Sequence, residues 1–477
     1  MLFNSWEFIF LFLVTSILYF NISYKYRIFL LLISSYIFYI SWRWDFAFIM
    51  LGVTVINYFS GIRIHSASHK SKKRIWLFLA ISTSLVPLLY FKYANFFLDN
   101  INGFMAIAGA NIKFSYLELI LPVGISFFTF QALSYSLDVF YGNTKIENNI
   151  VRFGTFVSFF PQLVAGPIER SSNLLEQLKN KHSFSKENFI EGSKLFIWGL
   201  FKKVVIADRL AIYVDKVYEH PELYSGPTLI VATLFFAFQI YCDFSGYSDM
   251  AIGAARILGF KLMQNFNLPY FASSISDFWK RWHISLSSWF GDYVYKPLGG
   301  SRVKYIKWLR NILVVFLVSG FWHGANWTFI IWGLLHAFLY FFESWGDLLL
   351  QKFRILKIKR TVIYKFFKIA SVFMIVCYAW VYFRASSVRD AFSITRKIFI
   401  DWSDKFYIGS SMVTFLLSIV LIIFLLVFQI SQYKGISSLY FSRSKINPWL
   451  QMIWYLTLLL GISLLGMSSN SFIYFQF

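Results

Sequence analysis

Residues 312–336 read ILVVFLVSGFWHGANWTFIIWGLLH, two apolar runs that meet around one histidine, His323, and end on a second, His336. About 20 apolar residues in a helix are enough to span a bilayer. An ionisable side chain is costly at that depth and is rarely kept there without a role. This stretch therefore predicts membrane-embedded helices and marks His323 as a candidate functional residue.

The rest of the chain has the same character. Of its 477 residues, 58% are hydrophobic and 14% are charged, whereas a soluble domain carries roughly a quarter charged residues. The apolar segments are continuous and do not alternate with polar residues, which favours helices over a membrane barrel. We predict an all-α polytopic membrane protein with roughly ten to twelve membrane helices, forming a single domain over residues 1–477. The apolar runs cover residues 6–20, 28–41, 44–62, 75–91, 116–140, 189–206, 227–241, 327–345, 366–383, 411–430 and 449–467.

Basic residues outnumber acidic ones, 45 to 23, and give a formal net charge of +22. In a soluble protein this excess would suggest a nucleic-acid partner. Here Lys and Arg concentrate in the short segments 63–74, 296–310 and 346–365, as the positive-inside rule predicts for cytoplasmic loops. We therefore expect no nucleic-acid partner, and counting spans from these loops puts both chain ends on the outer face.

Two short segments should interrupt the helices. Pro122-Val123-Gly124 opens one apolar stretch, and the segment 159–168 contains two prolines and a glycine. Irregular backbone at membrane depth survives only where protein or a water-filled cavity satisfies its polar groups. The sequence therefore predicts broken or re-entrant segments around an enclosed cavity.

Segment 277–295 has a helical period, since its large apolar residues recur at spacings of four, four, three and four. Asp277 is the expected N-cap, and the sequence PLGG at 297–300 should stop the helix. The pattern predicts one amphipathic helix at the cytoplasmic membrane surface. Its apolar face would consist of Phe278, Trp282, Leu286, Trp289 and Tyr293.

Glycines at 320 and 324 let other backbone or a substrate come close to His323. A neutral imidazole in apolar surroundings can take a proton from a hydroxyl, a step that acyl transfer to an alcohol requires. The alternative is a structural histidine that hydrogen-bonds a neighbouring helix. For Asp292 two roles stay open: it could orient the imidazole, or form a salt bridge with Lys296 four residues on.

Other ionisable residues in apolar sequence are secondary candidates. His283 could face the lipid headgroups or be structural, and His336 could line the same cavity as His323. Asp243 and Asp249 lie in a Ser- and Gly-rich segment that suits tight helix packing; two carboxylates exceed what packing needs, and they too could face the cavity. His323 and His336 are thirteen residues apart and so do not have the zinc-binding His-x-x-x-His spacing, and the chain has only two cysteines; we therefore expect no metal site.

The chain ends with FIYFQF at 472–477, in a tail predicted to be extracytoplasmic over residues 468–477. Aromatic residues of this kind commonly anchor a chain at the membrane interface. Alternatively, the phenol of Tyr474 could reach into a cavity and carry an acyl group.

Four segments taken together, 159–170, 243–271, 278–302 and 320–327, resemble the AlgI-type branch of the membrane-bound O-acyltransferase (MBOAT) family. The specific part is the combination of Arg-Trp-His-Ile-Ser-Leu, Gly-Asp-Tyr-Val-Tyr and Phe-Trp-His-Gly. The resemblance implies the family's fold: a ring of membrane helices around a central funnel, with re-entrant segments and a catalytic core at about residues 230–345.

The resemblance also implies an activity. An acyl group, acetyl by family analogy, would pass from a thioester across the bacterial cytoplasmic membrane for O-acetylation of a cell-surface polysaccharide. The family's catalytic histidine corresponds to His323, and the Asn or Asp upstream of it corresponds to Asp292. In the related D-alanylation system, a small partner peptide ends in a Phe-x-Tyr-x-x-Phe motif whose tyrosine is thought to relay the acyl group. Phe472, Tyr474 and Phe477 match that pattern within this chain.

The implied donor is acetyl-coenzyme A or another acyl thioester, bound as a substrate and not as a permanent cofactor. Lys296, Arg302 and Lys304 could hold its phosphates. The implied partner is an extracytoplasmic SGNH-type transferase with a Ser-His-Asp site. Two other functions remain open: a transporter of polysaccharide or lipid, which would also use broken helices and buried charges, and a non-catalytic membrane subunit of a synthase complex.

Overall fold

The computed structural model describes residues 1–164, 166–352, 361–403, 406–435, 448–467 and 472–473. Within those residues the chain is helical and contains no β-strand, as the sequence predicts. It divides into two compact units, which we call unit 1 (Met1–Phe196 with Met250–Met263) and unit 2 (Ile197–Asp249 with Gln264–Phe477). The expectation of a single domain stays a prediction.

Seven helices in the described part of the chain are long and apolar enough to cross a membrane, by length and composition. Two further apolar helices, Trp6–Asn21 and Trp449–Leu465, are shorter. The predicted runs 28–41 and 116–140 correspond to helices of 17 residues, which is less than an upright span needs. The all-α polytopic class is confirmed. The sequence has more apolar runs than the structure has candidate spans because some of the runs form helices too short to count as spans.

Unit 1 contains the first seven helices and most of the eighth. Their bounds are α1 Trp6–Asn21, α2 Tyr24–Ile40, α3 Phe46–Ser66, α4 Lys70–Leu88, α5 Ala94–Ile107, α6 Ile125–Tyr141, α7 Ile150–Ser158 and α8 Lys186–Phe201, with π-helical turns at Leu89–Tyr93 and Ser171–Leu175.

A buried polar cluster joins three helices of unit 1. Asn57 of α3 donates to Ser84 Oγ of α4 at 2.7 Å, and Ser136 Oγ of α6 donates to Asn57 Oδ1 at 2.7 Å. All three side chains are buried. Apolar contact alone does not drive helices together in lipid, so hydrogen bonds of this kind help to select the packing partners.

The helix that begins at Lys70 continues beyond the predicted run 75–91. A π-helical turn, Leu89–Tyr93, joins α4 directly to α5, so helical structure reaches Ile107. Pro87 lies inside α4 and cannot donate to the helical ladder. Local π-helical adjustment is one way in which a membrane helix satisfies the backbone groups that a proline frees.

The two predicted interruptions are present and lie against each other in unit 1. Gly124, at φ +72°, starts α6, and a Cβ at this position would come within 2.8 Å of the Leu163 carbonyl oxygen. Residues 159–164 and 166–170 are not helical. Side chains satisfy part of this backbone: Phe160 N–H donates to Ser35 Oγ at 3.1 Å, and the buried Glu169 accepts from Met263 N–H. Protein contacts thus support the irregular segment, as expected.

Unit 2 contains the end of α8 and the remaining helices, of which α10 continues into unit 1. Their bounds are α9 Asp208–Glu219, α10 Gly226–Ile257, α11 Ile275–Trp279, α12 Ile284–Phe290, α13 Tyr305–His323, α14 Trp327–Lys352, α15 Val362–Arg384, α16 Val388–Ile400, α17 Met412–Tyr433 and α18 Pro448–Leu465. π-helical turns lie at Lys202–Ala207 and Gly291–Tyr295, and 3₁₀ turns at Pro221–Leu223 and Pro269–Phe271.

The prediction of one amphipathic helix over residues 277–295 is wrong. α11 and α12 are separate, and His283 between them has the left-handed backbone angle φ +44°. The N-cap of α11 is Ser274, whose side chain accepts from Asp277 N–H, and not Asp277 itself. The apolar residues are nevertheless buried at Phe278, Trp282, Leu286 and Trp289. The regular spacing thus identifies residues that are buried together, although they do not lie on one uninterrupted helix.

Candidate active site

His323 is the last residue of α13, and its side chain is enclosed by aromatic rings of unit 2. Only 2% of the residue is exposed. The centroid of its ring lies 4.9 Å from that of Trp322, 5.1 Å from that of Trp332 and 5.3 Å from that of Phe383, each in an edge-to-face arrangement. These rings exclude water and give the imidazole the apolar surroundings predicted from the sequence.

His336 lies on α14 and meets the same indole. Its ring centroid is 4.9 Å from that of Trp332, so Trp332 contacts both imidazoles. Trp279 Nε1–H donates to His336 Nδ1 at 3.4 Å. Because an indole nitrogen can only donate, Nδ1 is the acceptor and the proton of the neutral ring is on Nε2. The two histidines therefore lie in one aromatic cluster although they lie on different helices.

A close crossing of α13 and α14 holds this cluster together. A Cβ at Gly320 would collide with the main-chain oxygen of Phe329, and a Cβ at Gly333 would collide with that of Phe316. A Cβ at Gly324 would collide with the Phe329 ring. The two glycines flanking His323 thus permit close approach, as expected, and the approaching groups belong to α14.

A cavity of about 460 Å³ lies beside the cluster in unit 2. Trp279 and Phe316, whose rings contact His336, form part of its wall, and Ser319, one helical turn before His323, forms another part. His323 itself is not among the residues that line this cavity. Most of this cavity's wall is apolar. Its side chains with a hydroxyl or amino group are Ser276, Lys280, Ser287, Ser288, Tyr295, Ser319 and Tyr340.

Asp292 lies in the π-helical turn Gly291–Tyr295 and forms a salt bridge with Lys296, with 2.7 Å between Oδ1 and Nζ. The structure therefore supports the second of the two roles considered for this residue. Its side chain is 40% and that of Lys296 72% exposed, so the pair is weakly stabilising. A role for Asp292 in orienting an imidazole stays a prediction.

The basic segment after Lys296 is a turn that is stabilised by hydrogen bonds from one buried side chain. Asn311 Nδ2 donates to the carbonyl oxygens of Leu298 and Gly300, both at 3.1 Å. Gly299 and Gly300 have positive φ angles, which explains why the sequence PLGG ends helical structure here. The side chains of Arg302 and Lys304 are exposed on this turn, so they remain accessible to an anionic ligand.

His283 does not face lipid headgroups, because it is fully buried in unit 2. Its Nδ1 lies 3.2 Å from Asn265 Oδ1, which also accepts from Ser285 N–H. A main-chain N–H can only donate, so the atom facing it is the amide oxygen and His283 Nδ1 carries a proton. Burial lowers the pKa of His283 to about 3. This neutral histidine fixes the junction between α11 and α12, in agreement with the structural alternative.

Asp243 and Asp249 are held in buried ion pairs, and the expectation that they face a cavity stays a prediction. Asp243 lies 2.9 Å from Lys203 Nζ, which also contacts Asp208 at 2.8 Å. Asp249 lies 2.7 Å from Lys202 Nζ. These pairs explain why α10 continues past residue 241, where the sequence predicts an end: each carboxylate has a cation beside it.

The two lysines of these pairs were not predicted as site residues. A signal was available, because Lys202 and Lys203 follow each other within the apolar run 189–206, and cations at such depth are expected to have partners. The roles of Asn265 and Trp332 could not be predicted, since neither residue type is unusual in its sequence context.

The C-terminal tail is described at two residues only. Phe472 and Ile473 are buried, and the Ile473 N–H donates to Asp243 Oδ2 at 2.8 Å. Tyr474 and Phe477 lie outside the described residues, as does most of the predicted tail 468–477. Within the part of the chain that the structure describes, no three His, Cys, Asp or Glu side chains group as metal ligands would.

Comparison with known proteins bears on this arrangement. The chain matches the model of MBOAT, the membrane-bound O-acyltransferase family, over residues 147–387. It is 41% identical to the probable alginate O-acetylase AlgI of Pseudomonas aeruginosa, over 84% of this chain and 75% of that protein. It is 37% identical to a peptidoglycan O-acetyltransferase of Helicobacter pylori, over 77% of this chain and 72% of that protein.

A teichoic acid D-alanyltransferase of Bacillus subtilis is 32% identical, over 48% of this chain and 61% of that protein. The matched residues 147–387 contain His283, Asp292, His323 and His336. The resemblance read from the sequence motifs is confirmed. The chain is a membrane protein and an O-acyltransferase that belongs to the AlgI-type branch of the membrane-bound O-acyltransferase family.

Proposed function

We propose that this protein moves an acetyl group from a cytoplasmic thioester to a hydroxyl group on the outer side of a bacterial cytoplasmic membrane, for O-acetylation of a cell-surface polysaccharide. The names of its relatives support the polymer class, since they refer to alginate and peptidoglycan. The observation that carries the proposal is His323, a buried imidazole in an aromatic cluster beside a cavity of about 460 Å³.

In the proposed mechanism His323 is the general base. One ring nitrogen takes the proton of the acceptor hydroxyl while the hydroxyl oxygen attacks the thioester carbonyl carbon. A C–O bond forms, the C–S bond breaks, and the imidazolium returns its proton to the departing thiolate. The rings of Trp322, Trp332 and Phe383 exclude water from the histidine, which protects the thioester from hydrolysis.

The donor in this scheme is acetyl-coenzyme A or a carrier-protein thioester, bound as a substrate. The exposed turn with Arg302 and Lys304 offers cations for its phosphates, while Lys296 is already paired with Asp292. The mostly apolar cavity lined by Trp279 and Phe316 has room for a short acyl thioester arm. Short basic segments of this kind favour the cytoplasmic side, which is consistent with entry of the donor there and with both termini outside.

The first acceptor in the scheme is the phenol of Tyr474, on the extracytoplasmic tail. An SGNH-type transferase with a Ser-His-Asp site would then take the acetyl group from this tyrosine and pass it to the polymer. Phe472, Tyr474 and Phe477 match the Phe-x-Tyr-x-x-Phe motif of the small partner peptide in D-alanylation, and this match supports the step. Asp292 remains a candidate for orienting the reaction centre.

The test uses purified protein with radiolabelled acetyl-coenzyme A, and with a labelled carrier-protein thioester in parallel. We expect label on the protein, none in His323→Ala, and none in Tyr474→Phe. His220→Ala is the matched control because His220 is also in unit 2 but its side chain is 52% exposed. Normal labelling of a folded His323→Ala protein would refute the mechanism. A transporter or a non-catalytic subunit would take no label from either donor.

A further inference from the structure

A cavity of about 140 Å³ lies in unit 1, where α1 ends and α2 begins. Three of the side chains that line it are cations: Lys25, Arg27 and Arg152. Of the described residues that line it, none is an aspartate or a glutamate. We call it the basic cavity, because its wall carries a local excess of positive charge.

Arg27 is the buried cation of this group, with 9% of the residue exposed. Its guanidinium donates to the carbonyl oxygens of Ile22 at 3.3 Å, of Phe20 at 3.4 Å and of His182. These bonds use three of the five guanidinium N–H groups. All three acceptors are neutral, whereas a buried charge is normally balanced by an opposite one. An anion in the cavity would supply that balance.

The other two cations lie nearer the surface. Arg152 Nη1 is 2.8 Å from Oε1 of Glu147, a carboxylate that is 3% exposed. Lys25 is exposed, and its Nζ lies 4.9 Å from the centroid of the Tyr26 ring. Glu147 thus offsets the charge of Arg152, while Lys25 and Arg27 keep the wall positive.

The size and the polar groups of the basic cavity suit a phosphate group. A water-sized site needs about 10–15 Å³, so about 140 Å³ has room for a group several times larger. Arg27 and Arg152 both line the cavity, and a guanidinium binds phosphate oxygens with paired, charge-assisted hydrogen bonds. Asn149 and Asn180 line it as well and are exposed, so the cavity is open at its mouth.

We propose that the basic cavity binds a phosphate group, with Arg27 as the buried anchor and Lys25 at the mouth. The group belongs either to an anionic phospholipid or to a soluble phosphate compound. Basic pockets between membrane helices bind phospholipid headgroups, and Ile28, Phe29 and Leu31 of α2 give the same cavity an apolar side for acyl chains. In the predicted topology the connection between α1 and α2 faces the cytoplasm, where both sources are present.

The test measures the thermal unfolding midpoint of the whole chain in a neutral detergent. One arm compares sodium phosphate with sodium chloride at matched ionic strength and pH. The other compares dioleoylphosphatidylglycerol with dioleoylglycerol, which has the same acyl chains without the phosphate. A ligand that binds only the folded protein raises the midpoint. A rise with the lipid alone assigns a headgroup, and a rise with inorganic phosphate assigns a site open to soluble phosphates. No rise in either arm would overturn the site.

Lys25→Gln is the main variant because it leaves the hydrogen bonds of Arg27 in place and changes an exposed side chain. It should raise the ligand concentration needed for a given shift by about fivefold, the effect of one cation near an anionic group. Lys145→Gln is the matched control, since Lys145 is exposed in unit 1 but does not line the cavity. It should respond as the parent does.

Arg27→Gln should raise the required concentration about tenfold or more, because charge-assisted hydrogen bonds to the ligand are lost. An unchanged response of a folded Arg27→Gln protein would overturn the proposal. Equal responses of Lys25→Gln and Lys145→Gln would overturn it too, even if Arg27→Gln does not fold. The outcome does not depend on acyl transfer, since neither arm uses a thioester donor.

Discussion

Replacing Gly320 by alanine should force α13 and α14 apart just before His323. A Cβ at this position would meet the main-chain oxygen of Phe329 and lie 3.4 Å from Gly333 Cα. Neither atom is the end of a side chain that could rotate away. Overpacking of a buried contact costs typically about 1–3 kcal/mol. Because the clash is with main chain, we expect Gly320→Ala to lower the free energy of unfolding by about 3 kcal/mol.

The same contact predicts a non-additive pair. A Cβ at Gly333 would meet the main-chain oxygen of Phe316 and lie 3.4 Å from Gly320 Cα. Once one substitution has separated the helices, the second meets less resistance. The double variant should therefore cost clearly less than the sum of the two single variants, because residues in direct contact are generally coupled.

Gly346→Ala is the matched control, since this glycine lies on α14 with nothing within 4 Å of an added Cβ. Alanine favours a helix over glycine by about 1 kcal/mol, so this variant should unfold no earlier than the parent. The assay is thermal unfolding in detergent, followed by fluorescence-detected size exclusion. We expect a midpoint for Gly320→Ala several degrees below that of Gly346→Ala; coincident midpoints, or additive costs at 320 and 333, would refute the close crossing.

Two further predictions concern buried charges. Glu169 lies outside the candidate membrane spans, and burial raises the pKa of its carboxyl from 4.5 to about 7. The stabilisation that comes from binding this proton in the folded state is complete below pH 4.5 and is lost as the pH rises through about 7. Glutamine cannot ionise, so the unfolding midpoint of Glu169→Gln should fall less across that range than the midpoint of the parent. Lys203→Met would leave Asp208 and Asp243 buried without their shared cation and should cost about 3–5 kcal/mol, seen as a loss of monodisperse protein. Lys296→Met breaks an exposed pair and should change little; equal effects of the two lysine variants would contradict this assignment.

The sequence predicts the fold class because the observations that decide it are local. Continuous apolar runs, few charges and basic loops need no knowledge of which helix contacts which. The positions of the breaks at Gly124 and at 159–168 were predictable for the same reason, since proline and glycine act on their own backbone. His323 could be selected because an imidazole in apolar sequence is unusual by itself.

Features that depend on pairing could not be predicted in the same way. The period at 277–295 fits one helix, but the left-handed residue His283 is stabilised by Asn265, which lies 18 residues away. The end expected for α10 at residue 241 depends on whether Asp243 and Asp249 have partners. Those partners lie in the π-helical turn after α8. The sequence alone does not show which buried carboxylate pairs with which lysine.

The spacing of these charges has a geometric reason. Asp243 and Asp249 stand three residues to either side of Gly246, and a Cβ at Gly246 would lie 2.7 Å from the Gly199 carbonyl oxygen and 3.2 Å from Lys203 N. Glycine at the crossing lets the backbone of the lysine-bearing turn approach α10, so that the carboxylates reach their lysines at 2.9 and 2.7 Å. Close approach therefore makes two buried charges on α10 tolerable, and this in turn leaves an oxygen of Asp243 available for the C-terminal segment. A larger residue at 246 should accordingly loosen both ion pairs and the tail together, whereas Asp249→Ala should affect one pair only.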